Sequence, residues 1–210
     1  MSARAAANVT TADSGRGKAA FPLLRWIALA WLAIWIPAYW RFWGWQNFFH
    51  FCDIAVILTC LGIFAGNRLL ISSQAVAAIV PQAIWCFEVC WHAATGRNFF
   101  GGAEYMWDTT VPRYVRMLSL FHVVLPLVLL YAVWRTGYDR RGFLLQIVIA
   151  AVTLVISRAL GPALNLNYAF VEPLFHHTWG PAPVHLAAVL AFISLVFYLP
   201  VHTALAKWFR

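Results

Sequence analysis

The sequence predicts an all-α polytopic membrane protein, a bundle of about six transmembrane helices. Three observations carry that reading. Of 210 residues, 63% are hydrophobic and only 10% charged, with a mean hydropathy of +0.73; ordinary soluble domains run at about 45–50% apolar and about 25% charged. A water-soluble domain of this size must cover its surface with polar groups and cannot absorb that excess. The apolar residues are also gathered into six runs of ~18–24 residues, the length that crosses ~30 Å of hydrocarbon at ~1.5 Å per residue. Finally, the basic residues sit at the ends of these runs. The net charge of +8 therefore reads as topology determinants beside anionic lipid, and not as a surface for nucleic acid.

Residues 1–20 are small, polar and basic, with Gly15 and Gly17, and read as a disordered tail. Residues 21–210 form one transmembrane domain without an internal repeat. The first span, 23–40, is too long and too rich in tryptophan for a signal peptide and lacks a small-x-small cleavage site, so it is a retained helix. The second, 48–65, stops at Gly66-Asn67, and the third, 69–92, ends in Ala-Ala-Thr-Gly. The fourth covers 115–134, the fifth 143–160 before Gly161-Pro162, and the sixth 184–206. Pro37, Pro81, Pro126 and Pro200 fall inside or near these spans and would kink them. With the N-terminus inside, the inner segments carry Arg4, Arg16, Lys18, Arg25, Arg68, Arg135, Arg140, Arg141, Lys207 and Arg210. The outer ones carry Arg41, Arg97, Arg113, Arg116 and Arg158. Ten against five places both termini in the cytoplasm, and a bacterial inner membrane is the expected location.

Ionisable groups inside a membrane helix cost about 2.5–3.5 kcal/mol each on insertion scales, so their positions are informative. They gather toward the outer face. The second helix opens with His50, Cys52 and Asp53, and the third ends with Glu88 and His92. The fourth opens with Arg113 and Arg116, followed by Ser119 and His122, while Arg158, Asn165, Asn167 and Tyr168 follow the fifth. Glu104, Asp108, Glu172, His176, His177 and His185 lie in or beside the outer loops. The inner half holds little beyond Gln74, Gln146 and His202. Helical spacing puts His50 with Asp53, Glu88 with His92, and Arg116 with Ser119 and His122 on shared faces. Two readings follow: one outward-facing polar cavity, or interhelical pairing such as Asp53 or Glu88 with Arg116 or Arg158.

If the groups form a site, thiol chemistry on lipid is the first candidate. Cys52 would be the nucleophile and His122 its base, since a thiol needs a neighbouring base or positive field to react. Asp53 adjoins the thiol in the same catalytic set. Asn165 or Asn167 would orient the histidine or donate to an oxyanion. His50, Arg116, Ser119, Arg158, Asn165 and Tyr168 form the expected binding set.

Three short stretches, His50-Phe51-Cys52-Asp53 opening one helix, Phe121-His122 in another and Asn167-Tyr168 before the last, carry a family resemblance. The chain resembles, over residues 45–205 in layout, a family of bacterial and eukaryotic integral membrane proteins. That family includes a eukaryotic ether-phospholipid acyltransferase with an intramembrane cysteine and histidine. The resemblance implies Cys52 as nucleophile, His122 as base, and a membrane lipid as partner.

Two other classes stay open. His50, Asp53, Glu88, His92 and His122 are ligand types for a divalent metal, with one helix face able to supply two of them. Such an ion would activate water for hydrolysis. No HExxH or cysteine-rich signature accompanies them, and no cofactor is the primary expectation. A non-enzymatic transporter, scaffold or haem-bearing subunit is the third class, with His92, His122 and His185 as haem ligands. In any of these classes, a homo-oligomer or membrane complex is the expected setting. Cys86 and Cys90 are one turn apart, with Cβ atoms ~5–6 Å from each other, which suits no disulfide. The tryptophans near the outer face, Trp40, Trp43, Trp45, Trp91, Trp107 and Trp179, read as an interfacial belt, or as a lipid-tail groove around the site.

Overall fold

The computed structural model describes residues 20–173 and 176–209. The tail predicted over residues 1–20 lies outside them except for Ala20. Among the described residues the chain is helical throughout, with no strand. We number six helices: α1 Leu24–Trp43, α2 Phe51–Ala65, α3 Arg68–Thr95, α4 Arg113–Thr136, α5 Arg141–Ala159 and α6 Ala182–Trp208. Helices α3 to α6 are each long and apolar enough to cross a membrane. Helix α1 has 20 residues and α2 only 15.

Helix α2 is shorter than the apolar run that predicted it. Trp45–Phe49 form a 3-10 turn, and His50 is extended at φ −63° and ψ 141°. His50 therefore precedes the helix and does not sit in its first turn, a correction to the expected i,i+3 pairing. Its carbonyl still accepts the amides of Asp53 and Ile54, at 3.1 and 3.0 Å. At the other end Gly66 adopts the left-handed φ of 66° that glycine tolerates best. The next residue, Asn67, begins α3 by accepting the Leu70 amide on its side-chain oxygen at 3.0 Å. The hairpin between α2 and α3 is thus local in origin.

Helix α3 is the central pillar and packs against α2, α4, α5 and α6. It is buried on every side from Ile71 to Ala78, a stretch of small and polar residues in which Ser72, Ser73 and Gln74 replace large side chains. Small residues let helices approach backbone to backbone. The closest approach is at Gly142, where an added Cβ would lie 2.8 Å from both Ser72 Cβ and Ser73 N. The Asp139 amide also donates to Ser72 Oγ at 2.9 Å. In the same connection the neighbouring Arg141 guanidinium holds the Asp139 carboxyl below the usual carboxylate range.

Helix α4 is interrupted. Regular helix runs from Arg113 to Leu118 and again from Phe121 to Thr136. Ser119, at the break, donates to the Val115 carbonyl at 3.1 Å, a back-bond that bends helices. Of the expected face, Ser119 and His122 still line one cavity, whereas Arg116 turns away to the Met106 carbonyl at 3.1 Å. One turn on, Pro126 has no amide hydrogen to offer the carbonyl of His122. The Cys86 thiol of α3 donates to that carbonyl instead, at 3.6 Å.

Helix α6 contains a π turn over Ser194–Tyr198. Tyr198 Oη accepts from Gln146 Nε2 at 3.3 Å, and Gln146 Oε1 accepts from Gln74 Nε2 at 3.3 Å. The two glutamines expected in the inner half are thus joined through a buried chain across α3, α5 and α6. His202 meets Tyr138 Oη at 2.7 Å. On α5 the outward face is apolar along its whole length, with Leu144, Val148, Val152 and Val155 between 54 and 65% exposed.

Candidate functional site

A cavity of about 290 Å³ opens where α1, α2, α3 and α4 meet beneath the loop that joins α3 to α4. Its walls are Tyr39, Trp43, Asn47, His50, Cys52, Asp53, Trp85, Gly102, Tyr105, Ser119, Phe121 and His122. Five of the residues singled out from the sequence, His50, Cys52, Asp53, Ser119 and His122, come together here from two separate stretches of the chain, 50–53 and 119–122.

Aromatic packing fixes the cavity wall on α1. Trp35 is fully buried and lies 4.6 Å from Tyr39, 5.5 Å from Phe48 and 5.7 Å from Phe121, measured between ring centroids. That cluster ties α1 to the 3-10 turn and to α4. It delivers the Tyr39 hydroxyl to Ser119 Oγ at 2.6 Å.

Asp53 is 2% exposed. The Asn47 side-chain amide donates to its Oδ2, and the Cys52 thiol approaches its Oδ1 at 3.7 Å. The ion pairs with Arg116 or Arg158 suggested by the sequence do not form. Arg116 is held by Met106, and Arg158 donates to the Ala169 carbonyl at 2.8 Å while lying 3.9 Å from the Phe170 ring centre.

The His122 ring is clamped between two aromatic faces, Trp85 at 4.3 Å and Phe121 at 4.1 Å. Its Nδ1 is hydrogen-bonded to Gln82 Oε1. With the amide oxygen of Gln82 facing it, Nδ1 would carry the proton and Nε2 keep its lone pair. That tautomer is the one a general base requires. Tyr105, on the loop over the cavity, has its phenol pushed up by burial, so it stays protonated and can donate. Trp85 Nε1 is buried beside the Tyr105 phenol.

Other expected site residues build the surroundings and do not line the cavity. The Asn167 side chain accepts the Phe51 amide at 2.9 Å and donates to the Phe49 carbonyl at 2.6 Å and to Ser157 Oγ at 2.8 Å. Both ends of its amide are engaged at the start of α2, which corrects the expectation that it orients His122 or donates to an oxyanion. Asn165 binds the Phe170 and Val171 amides and the Val171 carbonyl, closing its own loop. Tyr168 is half-exposed, and its carbonyl accepts from His185 Nε2 at 2.9 Å.

Of the five candidate metal ligands, His50, Asp53 and His122 line the cavity, whereas Glu88 and His92 are engaged elsewhere. Glu88 accepts the amides of Phe99, Phe100 and Gly101 at 2.8, 2.8 and 3.2 Å, folding the loop after α3 onto the helix. His92 bonds Asn98 at 2.6 Å and stacks on Trp107 at 4.0 Å. Among the described residues no three His, Cys, Asp or Glu side chains form a group that could hold a metal. The three candidate haem ligands stand in separate settings, with both ring nitrogens of His185 hydrogen-bonded.

The residues that sequence reasoning missed are Gln82, Asn47, Tyr39, Trp85 and Tyr105. Gln82 had a legible signal: a lone amide within an apolar span is costly without a partner. The aromatic residues had none, because a cavity wall and an interfacial belt use the same residue types.

Comparison with protein-family models, with curated proteins and with solved structures finds no match to this chain.

Proposed function

We propose that the chain is an integral membrane protein, its six helices crossing a bacterial inner membrane with both termini in the cytoplasm. We propose further that its cavity carries out thiol-dependent acyl transfer or hydrolysis on a membrane lipid. The membrane reading is supported by four helices of spanning length and by the continuous exposed apolar face of α5, a surface that water would penalise. The observation that carries the chemical reading is that Cys52 and His122, 70 residues apart in sequence, line one cavity, with the histidine Nδ1 held by Gln82.

In this reading His122 Nε2 takes the Cys52 proton as the sulfur attacks the ester carbonyl of a lipid. The Tyr105 hydroxyl and the Trp85 N–H are the donors available to the oxyanion. As the C–O bond breaks, the imidazolium returns the proton to the departing alkoxide and leaves an acyl thioester on Cys52. A second hydroxyl compound, or water, then attacks the thioester while His122 takes its proton, and the proton returns to the departing thiolate. Gln82 acts through His122 by holding its tautomer, as a positioning residue.

The test is labelling in native membranes with an activity-based acyl probe. Cys52→Ala is expected to remove the signal, and His122→Ala to lower it by about 10²-fold or more, the usual worth of a general base. Equal labelling of wild type and both variants would defeat the proposal.

A further inference from the structure

Asp53 presents an electrostatic problem that the protein itself leaves open. It is 2% exposed, and no ion pair reaches it among the described residues. A buried carboxyl with no cation beside it takes up a proton, and it is ionised only when a cation or a metal enters next to it. No lysine or arginine lines the cavity, whose only other titratable bases are the imidazoles of His50 and His122. The remaining walls are aromatic. Trp43 and Tyr105 meet at 5.9 Å with their rings at 85°, forming a corner, while Tyr39 and Trp85 also line the cavity, Trp85 with one face already stacked on His122. Aromatic faces set at an angle around a carboxylate attract a cation within ~6 Å of the ring centres, and most favour one too weakly hydrated to resist leaving water.

We infer that this cavity binds an alkylammonium group, with Asp53 as its counter-ion and Trp43, Tyr105, Tyr39 and Trp85 as the surrounding aromatic wall. The absence of lysine and arginine from the lining argues against recognition of a phosphate or carboxylate at the same point. An ammonium entering the cavity would hold the Asp53 carboxyl ionised as its counter-ion, while its alkyl substituents meet the apolar ring faces. A lipid head group and a free amine both present this ammonium, and the recognition chemistry is the same. The inference goes beyond acyl transfer and does not need the thiol.

The experiment is a tryptophan-fluorescence titration of the full chain in maltoside with choline. The parallel titrant is its uncharged isostere, in which a tert-butyl group replaces trimethylammonium. Choline is expected to give a saturable change and the isostere none. Asp53→Asn, nearly identical in shape, is expected to weaken choline binding about tenfold or more, and Val148→Leu, on the exposed face of α5, to leave it intact. If Asp53→Asn does not accumulate, Tyr105→Leu, on the loop outside the helices, provides the comparison and should also weaken binding. Short-chain phosphatidylcholine and phosphatidylglycerol with the same acyl chains separate the sources. A response to phosphatidylcholine without one to choline assigns the ammonium to a lipid, and the reverse assigns it to a free amine. The inference is overturned if choline and phosphatidylcholine both fail, if the isostere or phosphatidylglycerol matches them, or if neither Asp53→Asn nor Tyr105→Leu weakens binding.

Discussion

Gly142→Val is expected to prevent accumulation of folded protein, at a cost of about 3–5 kcal/mol. An added Cβ at this position would lie 2.8 Å from Ser73 N and 2.9 Å from the Ser72 carbonyl carbon, so the obstruction is backbone and no side-chain rotation relieves it. Helix α5 would have to move away from α3 as a body. That movement would also pull the Asp139 amide off Ser72 Oγ and strain the bond between Gln74 and Gln146. The check is fluorescence-detected size exclusion after detergent extraction, with thermal challenge of whatever remains. Val148→Leu, on the exposed face of the same helix, should behave as wild type. A monodisperse Gly142→Val variant of undiminished thermal stability would show that the two helices are not in contact at this point.

Asn167→Leu is expected to destabilise the protein by roughly 3 kcal/mol and to suppress probe labelling at Cys52. Three groups lose their partner: the Phe51 amide, the Phe49 carbonyl and Ser157 Oγ. Each buried polar group left unpaired costs about 1–3 kcal/mol, and the three are coupled through one side chain, so they do not simply add. A second contribution comes from the backbone. Asn167 sits at φ 52°, which asparagine tolerates and leucine resists by about 1–2 kcal/mol. Asn167→Gly separates the two, because it removes the hydrogen bonds while relieving φ, and it should fall between wild type and leucine. Thermal unfolding of the three proteins in one detergent measures the order. Because Phe51 and Cys52 are adjacent, loosening the start of α2 should also lower labelling in proportion to stability.

The helices were largely legible and the site only partly so, for physical reasons that differ. Runs of apolar side chains long enough for a bilayer can do little else, so the predicted spans differ from the observed helices by three residues or fewer at every boundary. The largest departures are ones of local geometry. The apolar count could not register that Trp45–Phe49 would tighten into a 3-10 turn and leave His50 extended, nor that Ser119 would break α4. Within the site, Cys52, Asp53 and His122 were legible because charge and reactivity inside an apolar span are costly and so must be provided for. Asn167 was visible as a polar residue near the outer face, but its task was not. Its partners lie 116 and 118 positions away, and no local pattern records that a loop before α6 should hold the first turn of α2. Glu88 is the reverse case. Its spacing from His92 suggested a ligand pair, whereas its carboxylate gathers three amides of the loop that follows.

The central claim is that Cys52 is a nucleophile served by His122 within a shared cavity. Peptide mass spectrometry of the full chain after incubation with phospholipid tests it most directly. The account predicts a hydroxylamine-labile acyl group on Cys52, formed far more slowly in His122→Ala, and none on Cys60, Cys86 or Cys90. An unmodified Cys52, or acylation spread evenly over all four cysteines, would contradict it.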